Sequence, residues 1–203
     1  MIAILTADII HSAKVNPKIW LAKLKSVLNT IGKSPAAWQI YRGDSFQLII
    51  KDPREALSVA ILIKATLRAV HPLDVRIAIG IGNVNHRATK ITESNGTAFI
   101  HSGEKFEFLK AGKQNLAIQS PWPDFDEEIN ILLKLGLIAM DNWTVASAQM
   151  VHDALLIPGI SQEELGKRAG IRQSAVSRRL KRAWFDEIIA LIDRYKNQLN
   201  HRI

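Results

Sequence analysis

The sequence contains no cysteine, which excludes disulfide bonds and zinc sites built from thiolates. Long apolar runs are also missing, since no window reaches the roughly 18 uninterrupted apolar residues that a membrane span needs. The opening stretch MIAILTADII meets an acid at Asp8 before a hydrophobic segment of useful length develops. These absences predict a soluble, cytoplasmic protein without a membrane partner.

Apolar content and basic charge are both plentiful. Of 203 residues, 47% are hydrophobic, enough for one large domain or two small ones, and the net charge is +8. Residues 1–120 carry 16 Lys or Arg against 8 Asp or Glu, whereas residues 121–203 carry 11 of each. Within the second half, however, seven basic residues and no acid fall between positions 167 and 182. Such a localised basic stripe predicts an anionic partner.

Residues 1–120 alternate between strand and helix patterns. Residues 2–10 form an apolar run typical of a buried strand, and the next segment has apolar residues at helical spacing. Later segments predict a hairpin, a second helix and another strand. Residues 96–110 suggest a strand or turn running into a short helix, and residues 113–120 a last strand. The order β-α-β-β-α-β is that of the split βαβ, or ferredoxin-like, arrangement.

The stretch SPWPDFDEE, residues 120–128, contains two prolines and an acidic run, and it predicts a boundary between two domains. Beyond it every pattern is helical, with four or five helices and no convincing strand. We therefore expect an α+β protein with one domain in residues 1–120 and an all-α domain in residues 121–203.

Residues 161–183 predict two short helices joined by a tight turn. Ser161 and Glu164 have the spacing of a capping box at the start of the first helix. Gly166 is small where a second helix must cross closely, and Gly170 can adopt the left-handed conformation that ends a helix. Apolar residues then line one face of the second helix, which leaves its polar and basic residues facing outward.

This segment resembles the helix-turn-helix of bacterial and phage repressors, in which a small residue, a glycine and an aliphatic residue recur at the spacing of Gly166, Gly170 and Val176. The resemblance implies that double-stranded DNA is the partner. Glutamine suits adenine and arginine suits guanine, while serine and lysine can hold phosphates. The implied DNA-binding residues are Arg172, Gln173, Ser174, Ser177, Arg178 and Lys181. The alternative is an ordinary helical hairpin with a solvated basic face.

The last predicted helix carries a wide apolar stripe that includes Trp184, Ile188 and Tyr195. A stripe of this width is typical of a helix packed into the core. If it is partly exposed, it would instead pair two subunits, as a helix-turn-helix protein needs in order to read two half-sites. A homodimer through these three residues is therefore expected as one of two readings.

Two acids in the first half stand at positions where carboxylates carry chemistry in a known family. The segments around TADII, YRGDSFQLII and DVRIAIGIGNV resemble the catalytic domain of class III nucleotidyl cyclases. In that family, an aspartate at the end of the first strand and another in the following hairpin hold divalent ions against a nucleotide. Asp8 and Asp44 match these positions, so the resemblance implies Mg²⁺ or Mn²⁺ with a nucleotide ligand. The alternative is a strand-end acid and a turn acid satisfied by backbone N–H groups.

Two other positions argue against turnover. The cyclases carry an asparagine and an arginine on a later helix, and alignment of this pattern places Ile100 and Glu104 there. An acid where a cation is needed raises the cost of a negatively charged transition state. Mg²⁺-dependent nucleotide chemistry therefore stays the alternative function, and a non-catalytic sensing or dimerisation domain is the expected one.

Over nearly its whole length the chain resembles the SatD-like family, which combines three short motifs with a C-terminal helix-turn-helix. These motifs read here Thr6-Ala7-Asp8-Ile9 with Ser12, Gly43-Asp44 with Phe46, and Ala98-Phe99 with Ser102-Gly103. The resemblance implies a cyclase-like domain followed by a DNA-binding domain. The predicted function is a DNA-binding transcriptional regulator.

Overall fold

The computed structural model describes residues 1–112 and 114–203. It confirms the α+β class, with a five-stranded sheet and eight α-helices in the described part of the chain. The strands are β1 (Ile2–Ile10), β2 (Trp38–Tyr41), β3 (Ser45–Ile50), β4 (Asp74–Gly82) and β5 (Leu116–Gln119). The helices are α1 (Pro17–Ile31), α2 (Ala56–Arg68), α3 (Thr97–Gly112), α4 (Pro123–Met140), α5 (Val145–Leu156), α6 (Gln162–Ala169), α7 (Gln173–Arg182) and α8 (Phe185–Asn200).

The sheet has the order β2-β3-β1-β4-β5, with β1 at its centre. Strand β1 pairs antiparallel with both β3 and β4, and β5 lies parallel to β4. In this register Asp8 lies opposite Ser45 on one side and Arg76 on the other. The last strand lies within the predicted residues 113–120 but is shorter, since β5 covers only Leu116–Gln119. Lys113, the predicted first residue, lies outside the described residues.

Both faces of the sheet are covered by helices. Leu5 and Ile9 of β1 belong to the main hydrophobic core with residues of α1 and α2, whereas Thr6 faces α3 and donates a hydrogen bond to Ser102 Oγ at 3.0 Å. Helix α3 lies very close to β4, because a Cβ at Gly80 would come within 2.3 Å of the α3 backbone. A side chain at that position would push α3 away from the sheet.

The α3 region differs from its prediction. Residues 97–112 form one helix of 16 residues, where the sequence suggested a strand or turn before a short helix. Apolar side chains lie on opposite sides of this helix, with Phe106 buried and Ile100 and Phe108 exposed. Because the apolar pattern has no single face, the period of 3.6 residues is obscured in the sequence.

The helices after residue 120 share a core with the sheet. Helix α4 begins at Pro123, inside the predicted boundary segment, because proline suits the first position of a helix. Phe125 of α4 and Tyr195 of α8 belong to the same hydrophobic cluster as the sheet, and Tyr195 Oη donates a hydrogen bond to the carbonyl of Pro53 at 2.7 Å. The division at residue 120 stays a prediction. Within the described part of the chain, every helix is too short or too polar to cross a membrane.

A buried ionic network joins the sheet half to the helical half. Lys64 of α2 is almost fully buried, and its Nζ lies 2.7 Å from Asp74 and 2.6 Å from Asp141, which follows α4. Arg68, one turn further along α2, donates a hydrogen bond to the carbonyl of Trp143 at 2.7 Å. The indole N–H of Trp143 in turn donates to the carbonyl of Ala183, just after α7, at 2.9 Å. This chain of contacts fixes the end of α7 relative to α2.

Candidate nucleic-acid interface and candidate metal site

Helices α5, α6 and α7 form a three-helix unit with its own small core. The buried side chains of this core come from all three helices and are supplemented by half-buried residues at the joints. They are Met150, Leu165, Val176 and Leu180, with Ile160, Ile171 and Phe185 packed against them. Because α7 buries only two of its side chains, most of this helix remains available at the surface.

The turn between α6 and α7 has the predicted local geometry. Ser161 Oγ accepts from the N–H of Glu164 at 3.2 Å, while the Glu164 carboxylate accepts from the N–H of Ser161 at 3.0 Å, which completes the capping box. Gly170 ends α6 with a φ of 65°, in the left-handed region. A Cβ at Gly166 would lie 2.7 Å from the carbonyl oxygen of Ile171, so this position is where α6 meets the turn closely.

The residues predicted to bind DNA lie together on or next to α7. Five of them are exposed and Ser177 is half-buried, while Val176 and Leu180 point into the core. The exposed five are Arg172, Gln173, Ser174, Arg178 and Lys181. Helix α7 itself contains no acid, so its outer surface presents hydrogen-bond donors and positive charge without an opposing carboxylate on the same helix.

One contact at this surface was missed by sequence reasoning. Gln173 Nε2 donates a hydrogen bond to Gln162 Oε1 at 3.1 Å, which links the first residues of α6 and α7. This bond orients the Gln173 amide and leaves its oxygen available as a hydrogen-bond acceptor. The signal in the sequence was the presence of glutamine at the start of both helices.

Not every cation of the basic stripe is free. Lys167 Nζ lies 2.8 Å from the Glu163 carboxylate on the same face of α6, so its charge is already paired in the chain. Arg172 precedes α7 as its N-cap residue without a capping side-chain hydrogen bond. The positive charge that faces outward is therefore concentrated on α7 rather than α6.

The three residues predicted for dimerisation are separated in the structure. Ile188 and Tyr195 are buried within the core of the chain itself, whereas Trp184 is 57% exposed. Trp184 stands between α7 and α8 with a φ of 56°, in the left-handed region, which turns the chain sharply. Of the three, Trp184 is the one with a largely exposed side chain.

The two predicted metal ligands lie close together at the end of the central strand β1, beside the turn between β2 and β3. Asp8 lies near the end of β1, and Asp44 lies in the tight turn between β2 and β3, where Gly43 has a φ of 89°. The backbone N–H of Ile9 donates to the carbonyl of Asp44 at 3.2 Å, which holds this turn against β1. Both carboxylates are half-buried. The structure therefore brings together two acids that are 36 positions apart.

Each carboxylate accepts a hydrogen bond from a serine. Ser45 Oγ donates to Asp8 Oδ1 at 3.1 Å, and Ser12 Oγ donates to Asp44 Oδ2 at 2.6 Å. These partners are side-chain hydroxyls, whereas the structural alternative from the sequence expected backbone N–H groups. Ser12 belongs to the first of the three short motifs, whereas Ser45 occupies the unspecified position between Asp44 and Phe46. Sequence reasoning therefore found one of the two serines and neither of the pairings.

The surroundings of Asp8 shift the pKa of its carboxyl upward. Burial raises the pKa of the Asp8 carboxyl above its ordinary value, and the charge of Asp44 raises it further. The hydrogen bond from Ser45 and the positive charges of Arg76 and Lys110 act in the opposite direction. Two carboxylates that repel each other in a half-buried site are stabilised when a divalent ion binds between them.

The donor set fits a hard cation only in part. Carboxylate and hydroxyl oxygens are suitable ligands for Mg²⁺ or Mn²⁺. Among the described residues, however, no group of three or more His, Cys, Asp or Glu side chains surrounds a common point. The protein would supply two carboxylates, and water or a nucleotide phosphate would supply the remaining ligands.

The positions aligned with the cyclase asparagine and arginine point elsewhere. The Ile100 side chain is 56% exposed on α3. Glu104 accepts a hydrogen bond from Gln119 Nε2 at 2.8 Å, which ties α3 to β5. Glu104 therefore has a structural partner, and it offers no positive charge to a phosphate.

Comparison with known proteins gives one family. No curated protein matches the sequence. The family model of the SatD family matches residues 1–196, which is nearly the whole chain and includes both the acidic pair and α7. The chain therefore belongs to the SatD family.

Proposed function

We propose that this protein is a DNA-binding transcriptional regulator. The observation that carries the proposal is α7, a helix that presents Gln173, Arg178 and Lys181 to solvent and contains no acid. A short helix held by two others, with polar and basic residues outward, fits the width and the negative charge of the major groove. An ordinary helical hairpin explains the core of this unit but gives no reason for a helix with charge of a single sign.

In this proposal the two halves have different roles. The three helices α5 to α7 form the helix-turn-helix, and α7 is its recognition helix. The strand order β2-β3-β1-β4, with β1 antiparallel to its two neighbours, supports a ferredoxin-like arrangement for the sheet half, extended by β5. The sheet half would then act as a cyclase-like sensing or dimerisation domain.

Different side chains of α7 would contact the bases and the phosphates of the DNA. Gln173, oriented by Gln162, would read an adenine, and Arg178 would read a guanine through paired hydrogen bonds. Ser174 and Lys181 would bind phosphates. The backbone N–H groups in the first turn of α7, for which the N-cap residue Arg172 provides no side-chain acceptor, would also bind a phosphate.

Fluorescence anisotropy with a labelled DNA duplex tests the proposal. We expect Arg178→Ala and Lys181→Ala each to weaken binding about 5- to 150-fold, because each removes a charged contact worth roughly 1–3 kcal/mol. Lys90→Ala is the matched control, since it removes the same charge from an exposed site in the sheet half. If both α7 variants bind as tightly as the control, the proposal fails.

A second function is supported by the proximity of Asp8 and Asp44 at the end of the central strand β1. In this alternative the two acids hold Mg²⁺ or Mn²⁺ with a nucleoside triphosphate, and the domain performs nucleotide chemistry. Incubation with each of the four nucleoside triphosphates and Mn²⁺ would test it, with Glu93→Gln as an exposed control. If product forms with the wild type and the Glu93→Gln control but not with Asp44→Asn, nucleotide chemistry becomes the favoured function. If calorimetry detects nucleotide binding but no product forms, the sheet half is assigned as a nucleotide-sensing domain.

A further inference from the structure

Helix α4 is apolar on two opposite sides, although only one of them faces the core of the chain. Phe125, Ile129, Leu133 and Met140 are buried against the sheet and α8. On the outer side, apolar residues recur at positions i, i+4 and i+7, which form a second stripe along the same helix. Its members are Ile131 (52% exposed), Leu135 (60%) and Ile138 (69%), and Trp184 (57%) lies beside them at the start of α8. A helix that is apolar all round is normally covered all round.

The outer stripe borders a groove between α4 and α8. The groove has a volume of about 760 Å³, and Leu132, Gly136, Ile188 and Leu191 line it. A Cβ at Gly136 would lie 3.3 Å from the Leu191 side chain, so α4 and α8 approach each other closely at the floor of the groove. The face, which we call the α4/α8 face, thus combines a projecting indole at Trp184 with a recess of several side-chain volumes.

We propose that the α4/α8 face binds a second copy of this chain. In a two-fold dimer each copy offers the same surface twice, so a face that pairs with itself needs both a projection and a recess. Trp184 and the groove supply these two features side by side. The choice of a second copy rests partly on the proposed DNA-binding function, because a helix-turn-helix reads two half-sites as a dimer.

The size of the face agrees with a dimer. Four large side chains that are more than half exposed present on the order of 400 Å² of apolar surface, as much as the largest patch of a typical monomer, which is often functional. This is about half of the roughly 800 Å² that each partner gives to a standard interface, and the groove walls and polar rim supply the remainder.

Charge also selects a second copy over other partners. The chain as a whole carries +8, so two copies repel each other on average. The charged residues that line the groove are not in positive excess, however, since Glu128 pairs with Arg194 at 2.7 Å and the third one is Glu187. Without a positive excess the face has little attraction for DNA or for an anionic lipid surface.

The position of this face would set the geometry of DNA reading. Trp184 follows α7 after a single residue, Ala183, whose carbonyl is held by the Trp143 indole. A dimer through Trp184 and α4 would therefore fix both the separation and the direction of the two α7 helices. Half-site spacing in the DNA would follow from this interface.

Sedimentation equilibrium of the full chain without DNA tests the proposal. At about 100 μM we expect the wild type to sediment at twice its mass of 22.7 kDa. Ile138→Glu places a charge at the centre of the face and should weaken association at least 100-fold, to a monomer. The control is Ile100→Glu, an exposed isoleucine on α3 that should leave the dimer intact, and circular dichroism verifies that each variant is folded.

A wild type that is monomeric at this concentration would overturn the proposal, as would an Ile138→Glu variant that stays dimeric. Vesicles of phosphatidylglycerol and phosphatidylethanolamine are added to the same samples. If a monomeric wild type binds them through Ile138, the face is assigned to lipid and the dimer is rejected. Because these samples contain no DNA, a monomeric wild type would reject the dimer without bearing on DNA binding. Conversely, unchanged DNA affinity of Arg178→Ala would reject the DNA-binding proposal without bearing on the dimer.

Discussion

The charged side chains of the acidic pair in the sheet half are half-buried and hydrogen-bonded, whereas most of those of α7 in the helical half are exposed. Asp8 and Asp44 are half-buried, and each accepts a hydrogen bond from a serine of the same half. Arg178 and Lys181 of α7 project into solvent from a helix that contains no acid. Charge that finds partners within the chain is compatible with a structural role, whereas exposed charge of one sign on a fixed helix indicates a partner outside it.

The largest change in the free energy of unfolding is expected from a substitution where the two halves are joined. Replacing Lys64 in Lys64→Met leaves Asp74 and Asp141 without their shared cation, and breaking a buried ion pair costs about 3–5 kcal/mol. Urea denaturation measures the free energy of unfolding. Lys167→Met, in an exposed pair on α6, is the control and should change it by less than about 0.5 kcal/mol.

This substitution also tests how independent the halves are. A single unfolding transition at lower urea would mean that the sheet half and the helical half unfold together. Two transitions would mean that the helical half unfolds separately once the network is broken. An unchanged free energy of unfolding would contradict the importance of the junction.

Smaller changes in stability, of opposite sign in the two halves, are expected when one glycine in each half is replaced by alanine. Gly170 ends α6 with a φ of 65°, so Gly170→Ala should destabilise the protein by about 1 kcal/mol. Gly103 lies within α3 and a Cβ there would meet nothing within 4 Å, so Gly103→Ala should stabilise it by about 0.5–1 kcal/mol. Thermal unfolding of both variants checks the pair, and a change of the same sign in both would contradict this assignment.

The smallest effect is expected from one carboxylate in each half. Burial raises the pKa of Asp8, so its charged form weakens the folded state at pH values above that pKa, and the penalty disappears as pH falls through it. The hydrogen bonds from Ser161 lower the pKa of Glu164, so its contribution is favourable above the pKa of the unfolded chain and is lost in acid.

Asp8→Asn should therefore slightly stabilise the protein at neutral pH, and Glu164→Gln should slightly destabilise it. Solvent screening at Asp8 keeps its effect below about 1 kcal/mol. Both differences should shrink at low pH, which urea denaturation at several pH values would reveal. A stabilising effect of Asp8→Asn that persists at low pH would contradict the electrostatic explanation.

The sequence predicts local geometry better than long-range contacts. The capping box at Ser161 and the helix end at Gly170 depend on residues within a few positions of each other, and both agree with their predictions. The Lys64 network joins residues up to 77 positions apart, from Lys64 to Asp141, and nothing in the local pattern signals it. Paired side chains from distant segments become visible only when the fold brings them together.

Apolar stripes are only partly interpretable from the sequence. The stripe on α8 allows two interpretations, core or dimerisation, and Ile188 and Tyr195 agree with the first because they complete the core of the chain. The outer residues of α4 look in the sequence like further core residues, and Leu135 and Ile138 are exposed instead. Hydrophobic periodicity identifies a helix, but it does not say which of two apolar sides faces the core.

The most direct test of the central claim is the salt dependence of duplex DNA binding by the wild type and the Arg178→Ala, Lys181→Ala double variant. Each phosphate contact that is lost should reduce the slope of log affinity against log salt concentration by about 1. The proposal predicts that the wild type binds with a steep slope and that the double variant binds more weakly with a slope reduced by about 1, because Lys181 is the one of the two residues assigned to a phosphate. Equal affinity and equal slope for the two proteins would show that α7 is not the DNA-binding surface.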